Sequence, residues 1–211
     1  MVNVSVFIEG GVLPNEKHSV LTVDNSEKLR EGFYSILSQI IPPSDFNLTI
    51  KQGSGNKQTI KYFKNRIQKK QSTLLLIDLD KSTEKKDEKI TEFELTEYSE
   101  NVFFMVQEME AWIISQINII DDYYTKRYIR LKKDVLVSNH KKIKDIHPEE
   151  IRKPSIVLKE IIGQFYKTKQ GKKKKYGKLK DGSELLSILN ASELQKIFSD
   201  FNELIVKIKS T

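Results

Sequence analysis

The sequence contains no cysteine among its 211 residues, and this absence excludes several classes of site. Without cysteine there is no disulfide framework, no thiol nucleophile and no cysteine-ligated zinc. No apolar stretch approaches the roughly 18 residues that a membrane-spanning helix requires. The N-terminal residues alternate as a strand does, and they show neither a basic start nor a cleavage site. We therefore expect a cytoplasmic protein with no signal peptide and no membrane segment.

The composition is polar and basic. Charged residues make up 31% of the chain and hydrophobic residues 38%, and the apolar residues are grouped in compact runs that predict a core. Lysine and arginine (36) outnumber aspartate and glutamate (29), which gives a formal net charge of +7. This length suits one domain, or one domain with a substantial extension. The positive charge permits a polyanionic partner such as nucleic acid.

The hydrophobic pattern predicts alternating strands and helices in the first half of the chain. Alternating or continuous apolar runs predict strands at residues 2–8, 46–51, 73–77 and 102–106. Helical periodicity predicts helices between them, and strands connected in this way form a mainly parallel sheet flanked by helices. We therefore expect an α/β domain at residues 1–120. A mostly helical, lysine-rich extension should pack on it at residues 121–211, with its last helices at 183–189 and 191–208.

Two acids follow the most apolar strand. Leu74 to Ile77 are all large and apolar, and Asp78 and Asp80 come directly after them. Residues i and i+2 of a strand point to the same side, so the two carboxylates should project together from the carboxyl end of the sheet. Paired carboxylates favour a hard cation such as Mg²⁺ or Mn²⁺. The alternative is that they cap the next helix or complete a turn.

Further acids occur at other predicted strand ends. Glu9 follows the first strand, and Glu108 and Glu110 lie where the fourth strand meets a helix. Each has a simple alternative, because an acid also occurs in tight turns and in the first turn of a helix. The carboxyl ends of parallel strands meet at one edge of a sheet, so these acids should converge with Asp78 and Asp80. That convergence predicts a metal site.

Two segments are candidates for contact with phosphate. A glycine-rich turn before the second helix can present backbone N–H groups to a phosphate, although its spacing is not that of a complete P-loop: Gly53, Gly55, Asn56 and Lys57. Residues 167–180 contain eight lysines and no acid. They predict a nucleic-acid-binding loop, with a disordered solubilising loop as the alternative. The residues expected to contact nucleic acid are Lys172, Lys173, Lys174, Lys175, Tyr176 and Lys178.

The order of these motifs resembles the TOPRIM domain of topoisomerases, primases and OLD-type nucleases. The resemblance rests on Glu9-Gly10 after the first strand and on Asp78-x-Asp80 after the third. A bacterial TOPRIM-clan domain of unknown function, a relative of OLD and RloB-like nucleases, is more similar still. The chain shares with it an E-G-G turn, an M-V-Q-x-M-E-x-W segment, a K-x-x-Y-x-K block and a G-G-x-N-like turn. The sequence departs from that pattern in its D-x-D pair and in the charged insert at residues 81–100.

The resemblance implies a TOPRIM-like (Rossmann-like) fold and metal-dependent nuclease activity. In this interpretation Glu9, Asp78 and Asp80 hold Mg²⁺ or Mn²⁺ beside a nucleic-acid phosphate, and Glu108 or Glu110 assists them. Lys175 and its neighbour in the block, Lys178, would hold the nucleic-acid backbone and stabilise the transition state, which makes Lys175 a predicted catalytic residue. Relatives are often encoded beside AAA or SMC-like ATPases in settings that look like phage defence, which implies an ATPase partner.

Two other functions fit parts of the sequence. Asp78-Leu79-Asp80-Lys81-Ser82 is similar to the nucleophile loop of haloacid-dehalogenase-type phosphatases, although that loop normally ends the first strand. Alternatively, the protein is a non-catalytic accessory subunit. It would then bind nucleic acid or an ATPase through its basic C-terminal half and keep the acids for folding or for metal.

Overall fold

A sheet of four parallel strands forms the centre of the protein. The computed structural model describes residues 1–9, 26–53, 55–69 and 71–211. In these ranges the strands of the sheet are β1 (Val2–Glu9), β2 (Phe46–Gly53), β3 (Thr73–Asp78) and β4 (Val102–Met105). They lie in the order β2-β1-β3-β4, and every pairing is parallel. The predicted α/β fold with a mainly parallel sheet is confirmed.

Helices surround the sheet and make up most of the C-terminal part. In the first half they are α1 (Ser26–Ser38), α2 (Asn56–Ile67), α3 (Lys86–Glu92), α4 (Glu110–Ser115) and α5 (Ile117–Arg127). In the second half they are α6 (Pro154–Phe165), α7 (Lys178–Ile188), α8 (Ala191–Ile197) and α9 (Ser199–Lys209). A short antiparallel pair, β5 (Ile129–Arg130) and β6 (Tyr166–Lys167), flanks α6. No helix of the described residues is long and apolar enough to cross a membrane.

The strand register brings the strand ends together at one edge of the sheet. Glu9 pairs with Gly53 across β1 and β2, and Asp78 pairs with Met105 across β3 and β4. Every residue of β3 is buried, because this strand lies between β1 and β4 with helices on both faces. The residues that follow these strands therefore share the carboxyl edge of the sheet, where open α/β sheets place their ligand sites.

The C-terminal helices share one hydrophobic core with the sheet. The Trp112 ring in α4 lies 5.0 Å from the Phe201 ring and 6.2 Å from the rings of Phe33 and Phe198. Phe33 belongs to α1, whereas Phe198 and Phe201 come from the C-terminal end of the chain. Contacts of α7 with α1 and of α9 with β4 continue this packing.

The structure corrects two predicted helix boundaries. The helix expected at 191–208 is interrupted at Phe198, where the extended backbone (φ −114°, ψ 112°) turns the ring into the core and separates α8 from α9. The helix expected at 183–189 begins earlier, at Lys178, because buried Asp181 in its first turn accepts the N–H of Gly177 at 2.9 Å. The lysine-rich segment thus ends inside a helix. Gly10 and Gly11 of the predicted E-G-G turn lie outside the described residues.

Candidate functional site

The segments after β3 and β4 remain paired beyond the sheet. The Leu79 N–H donates to the Met105 carbonyl at 3.1 Å, and the Asp80 N–H donates to the Gln107 carbonyl at 2.7 Å. Asp80 (φ 58°) and Gln107 (φ 36°) both adopt left-handed backbone conformations. Such conformations are costly for residues other than glycine and are concentrated at functional sites. Asp80 therefore lies beyond the end of β3. The prediction that Asp78 and Asp80 point to the same side assumed that both residues belong to the strand, so it does not apply to Asp80.

Asp78 is buried and is held by two separate elements. Its Oδ1 accepts the Met109 N–H at 2.8 Å, just before α4, and its Oδ2 accepts the Lys178 ammonium at 2.5 Å, in the first turn of α7. Lys178 comes from the C-terminal part of the chain and Asp78 from the centre of the sheet. The last third of the chain therefore supplies a cation to the end of β3.

Glu9 lies in the same electrostatic environment, one strand away. Burial raises the pKa of this half-buried carboxyl to about 7, and the charges of Asp78 and Asp80 add to the increase while Lys178 opposes it. Asp80 has an exposed side chain, yet partial desolvation, followed by the charge of Asp78, raises its pKa as well. Neighbouring carboxylates thus disfavour ionisation of one another at this edge.

Glu110 and Glu108 reach the site from the start of α4. Glu110 is completely buried; its Oε1 accepts the Tyr176 hydroxyl at 2.9 Å, while its Oε2 has no hydrogen-bond partner among the described residues. Burial raises the pKa of Glu110, and the charge of Lys178 opposes that increase. Glu108 accepts the Ser155 N–H at 2.7 Å, in the first turn of α6. We refer to the five residues as the acid cluster: Glu9, Asp78, Asp80, Glu108 and Glu110.

Lys178 is the counter-ion of the acid cluster. Burial alone would lower the pKa of its ammonium, but the charges of Asp78 and Glu110 outweigh that effect and raise the pKa. Among the described residues, no group of three histidine, cysteine, aspartate or glutamate side chains could hold a metal ion. As arranged here, therefore, the positive charge beside Asp78 comes from a lysine.

A cavity of about 460 Å³ opens onto the acid cluster. Four of the acids line it together with Lys178, Tyr176 and three residues of α6: Ser155, Ile156 and Lys159. Asp80 also lines a wider cleft of about 820 Å³, whose other walls include Lys81, His147 and Arg152. Ser155 and Lys159 are not among the site residues that the sequence predicts. Their i, i+4 spacing after Pro154, at the start of a predicted helix, was the available signal.

The predicted lysine block divides into exposed and buried residues. Lys172, Lys173 and Lys175 are exposed, and none of them lines the cavity of the acid cluster. Lys174 is only 6% exposed, because its ammonium donates to both carboxylate oxygens of Asp181, at 2.8 and 2.9 Å. Tyr176 is likewise buried, and its hydroxyl donates to Glu110.

The glycine-rich turn before α2 is explained in part by packing. A Cβ atom at Gly53 would lie 2.6 Å from the Thr59 backbone nitrogen, so only glycine permits β2 and α2 to approach this closely. Gly55 precedes α2 and has open space beside it, while Asn56 and Lys57 form the first turn of the helix. Ser54 lies outside the described residues.

Comparison with known families identifies the family of the chain. The model of a family described as a domain of unknown function (DUF4276) matches residues 27–209. The chain belongs to this family. The DUF4276 match covers Asp78, Lys178 and the other acids of the cluster except Glu9, which precedes it. Comparisons with curated proteins and with solved structures find no match to the chain.

The raised pKa of Glu9 predicts a specific dependence of stability on pH. Since the folded state holds this proton more tightly than the unfolded state, stability should fall as pH rises from about 4.5 to about 7. After allowance for solvent screening, we expect Glu9 to contribute a loss of about 2 kcal/mol. Glu9→Gln should remove this component in urea denaturation at pH 5 and pH 8. The exposed-site control Glu203→Gln should follow the wild type, and parallel curves for Glu9→Gln and wild type would contradict the assignment.

Proposed function

We propose that the protein is a metal-dependent nuclease, or a nuclease-like subunit, whose acid cluster hydrolyses a phosphodiester bond of nucleic acid. One observation carries this proposal: Glu9 Oε2 and Glu110 Oε2 are buried without hydrogen-bond partners in the described part of the chain, in a site that also contains Asp78 and a lysine. A buried carboxylate oxygen without a partner is costly unless a cation or a proton meets it. The TOPRIM resemblance supports the same activity, and it suggests an AAA or SMC-like ATPase partner in phage defence.

The chemistry of the acid cluster suits a hard divalent cation, although its described side chains would have to move to bind one, because they form no metal site as arranged. Carboxylate oxygens are the ligands that Mg²⁺ and Mn²⁺ prefer, and Glu9, Asp80 and Glu110 are the residues that would hold the ion together with Asp78. Because Lys178 now occupies Asp78 Oδ2, its ammonium would have to leave that oxygen when an ion binds. When bound, the ion would polarise the phosphate and lower the pKa of a water ligand.

Several side chains have suitable chemistry for the hydrolysis itself. Glu9 would lose its proton when the ion binds, because the divalent charge opposes the burial that raises its pKa, and its carboxylate would then serve as a ligand. Lys178 and Lys159 line the cavity and can pair with the phosphate oxygens. Tyr176 holds Glu110 in place through its hydroxyl. The cleft that adjoins Asp80 gives a longer substrate room to extend from the cavity.

Cation binding should be visible as thermal stabilisation. Addition of Mn²⁺ or Mg²⁺ at pH 8 is expected to raise the melting temperature by about 5 °C at saturating concentration. The shift should disappear in the double variant Glu9→Gln/Glu110→Gln and persist in Asp200→Asn, whose buried carboxylate lies outside the acid cluster. The expected shift is smaller at pH 5, because protons then compete for the carboxylates. Equal shifts in the wild type and the double variant would contradict a metal site here.

Cleavage of oligonucleotides or of plasmid DNA tests the reaction. We expect products with Mg²⁺ or Mn²⁺ and none with EDTA, for DNA or for RNA. A persistent lack of cleavage, with and without a partner ATPase, would argue strongly against nuclease activity. Hydrolysis of p-nitrophenyl phosphate without nucleic-acid cleavage would instead favour the phosphatase alternative.

The ion pair between Lys178 and Asp78 favours a second candidate, a non-catalytic accessory subunit. A lysine that permanently replaces the metal would leave a neutralised, stable site whose acids serve folding. Binding of nucleic acid or of an ATPase with no effect of metal on the melting temperature would support that candidate.

A further inference from the structure

A separate cavity, of about 360 Å³, lies at the edge of the sheet formed by β2. We call it the edge cleft. Its principal lining residues come from α1, from β2, and from α2 and the turn that follows it: Arg30, Lys51, Gln52, Tyr62, Arg66 and Lys69. Four of these six side chains are cationic, and no acid of the described residues lines the cleft. Three separate elements thus bring positive charge to one depression.

The cations of the edge cleft have no counter-ion within the described part of the chain. None of the four forms an ion pair with a described carboxylate. Burial, followed by the charge of Arg66, lowers the pKa of Lys51, as expected where two cations are close and unneutralised. The Lys51 ammonium lies 5.8 Å from the Phe7 ring centroid, a contact that does not cancel its charge. An anion supplied from outside would relieve this repulsion.

Gln52 adds polar groups that lack partners among the described residues. Its Oε1 and Nε2 atoms are both buried, and neither has a hydrogen-bond partner there. A buried amide in this state is costly, and a ligand would satisfy it. Nε2 can donate to a phosphate oxygen, whereas Oε1 needs a donor such as a sugar hydroxyl or a base N–H. A nucleotide carries both kinds of group, but inorganic phosphate at neutral pH offers mainly acceptors.

Tyr62 supplies an aromatic surface at the same cleft. Its side chain is 41% exposed, and its hydroxyl accepts the Gln58 amide at 2.8 Å, which restrains the ring. Proteins that bind single-stranded nucleic acid combine a cationic groove with aromatic rings on which bases stack. Cations, an unsatisfied amide and an exposed ring are all present here.

We propose that the edge cleft binds the phosphate backbone of a single-stranded nucleic acid and that Tyr62 stacks against one of its bases. Binding there does not require hydrolysis at the acid cluster.

The test is fluorescence anisotropy with labelled single strands of DNA and RNA, about 12 nucleotides long, in EDTA so that no cleavage occurs. The double variant Lys51→Gln/Arg66→Gln should weaken binding by about 10-fold and reduce the steepness of the salt dependence. A matched control, Lys28→Gln/Lys61→Gln, removes two exposed cations from α1 and α2 that do not line the cleft. It should change the affinity by less than about 3-fold. Equal losses in the two double variants would overturn the proposal.

Two further measurements identify the ligand and distinguish the edge-cleft proposal from the proposed nuclease function. Tyr62→Leu should weaken oligonucleotide binding several-fold and leave competition by pyrophosphate unchanged. If pyrophosphate or a mononucleotide binds the cleft while the oligonucleotide affinity is insensitive to Lys51→Gln/Arg66→Gln, the nucleic-acid assignment is wrong. Loss of cleavage in Asp78→Asn at saturating oligonucleotide, with binding in EDTA still dependent on Lys51 and Arg66, tests the acid cluster separately from the edge cleft.

Discussion

Replacement of Asp78 by asparagine is expected to lower the rate of nucleic-acid cleavage by about 1000-fold, which corresponds to about 4 kcal/mol in the activation barrier. The asparagine side chain would retain an acceptor for the Met109 N–H but lose the negative charge that attracts Lys178 or a divalent cation. Cleavage should be measured under single-turnover conditions with Mn²⁺. Retention of more than a tenth of the wild-type rate would contradict a central role for Asp78.

Asp200→Asn is the matched control for this experiment. Asp200 is also a buried aspartate; it accepts the Phe104 N–H at 2.9 Å and pairs with the Lys86 ammonium. The two substitutions therefore remove the same kind of interaction, an ion pair with a lysine, from a carboxylate that also accepts a backbone N–H. Both variants should lose some stability, but only Asp78→Asn should lose cleavage at temperatures where both are folded.

Replacement of Lys178 by methionine is expected to expose the repulsion within the acid cluster. Without the ammonium, the charges of Asp78, Glu9 and Glu110 have no counter-ion, and we expect the free energy of unfolding at pH 8 to fall by about 2 kcal/mol. The loss should be small at pH 5, because protonation of Glu9 then relieves the repulsion. Mn²⁺ should restore stability and produce a larger shift than in the wild type, because an ion no longer has to displace a lysine.

Lys174→Met separates these effects from the general cost of losing a buried ion pair. Lys174 pairs with Asp181 outside the acid cluster, at 2.8 Å. Its variant should be destabilised at pH 8 with no additional stabilisation by Mn²⁺. If Lys178→Met shows a smaller Mn²⁺ shift than the wild type, Lys178 helps to bind the ion or its ligands and does not compete with it.

The sequence predicted the sheet because its strands depend on local pattern. The apolar run at Leu74–Ile77 is buried as expected, and the acids that follow the strands share one electrostatic environment. The sequence pattern did not predict the left-handed backbone of Asp80. The Asp80 N–H bonds to the Gln107 carbonyl in the neighbouring segment, and this contact exists only in the folded protein. Side chains alternate between the two faces of the sheet only within β3, and this strand ends at Asp78.

The lysine-rich segment shows why composition could not assign individual roles. Eight similar residues carry no local signal of which ammonium finds a carboxylate in the folded chain. Lys174 and Lys178 pair with Asp181 and Asp78 through packing of α7, whereas Lys175 remains exposed. The edge cleft was not predicted for the same reason. Its cations lie on three elements and meet only after the sheet and its helices have assembled.

The pairing of Lys178 with Asp78 joins residues 100 positions apart in the chain, and this separation has a consequence during synthesis. Domains generally fold as units while the chain emerges N-terminal end first. The strand ends that carry Glu9 and Asp78 are complete long before Lys178 has been added. Until α7 is in place, Asp78 lacks the Lys178 ammonium, and Glu110 has no Tyr176 hydroxyl to bind. Completion of the charged edge of the sheet is therefore a late event in the synthesis of the chain.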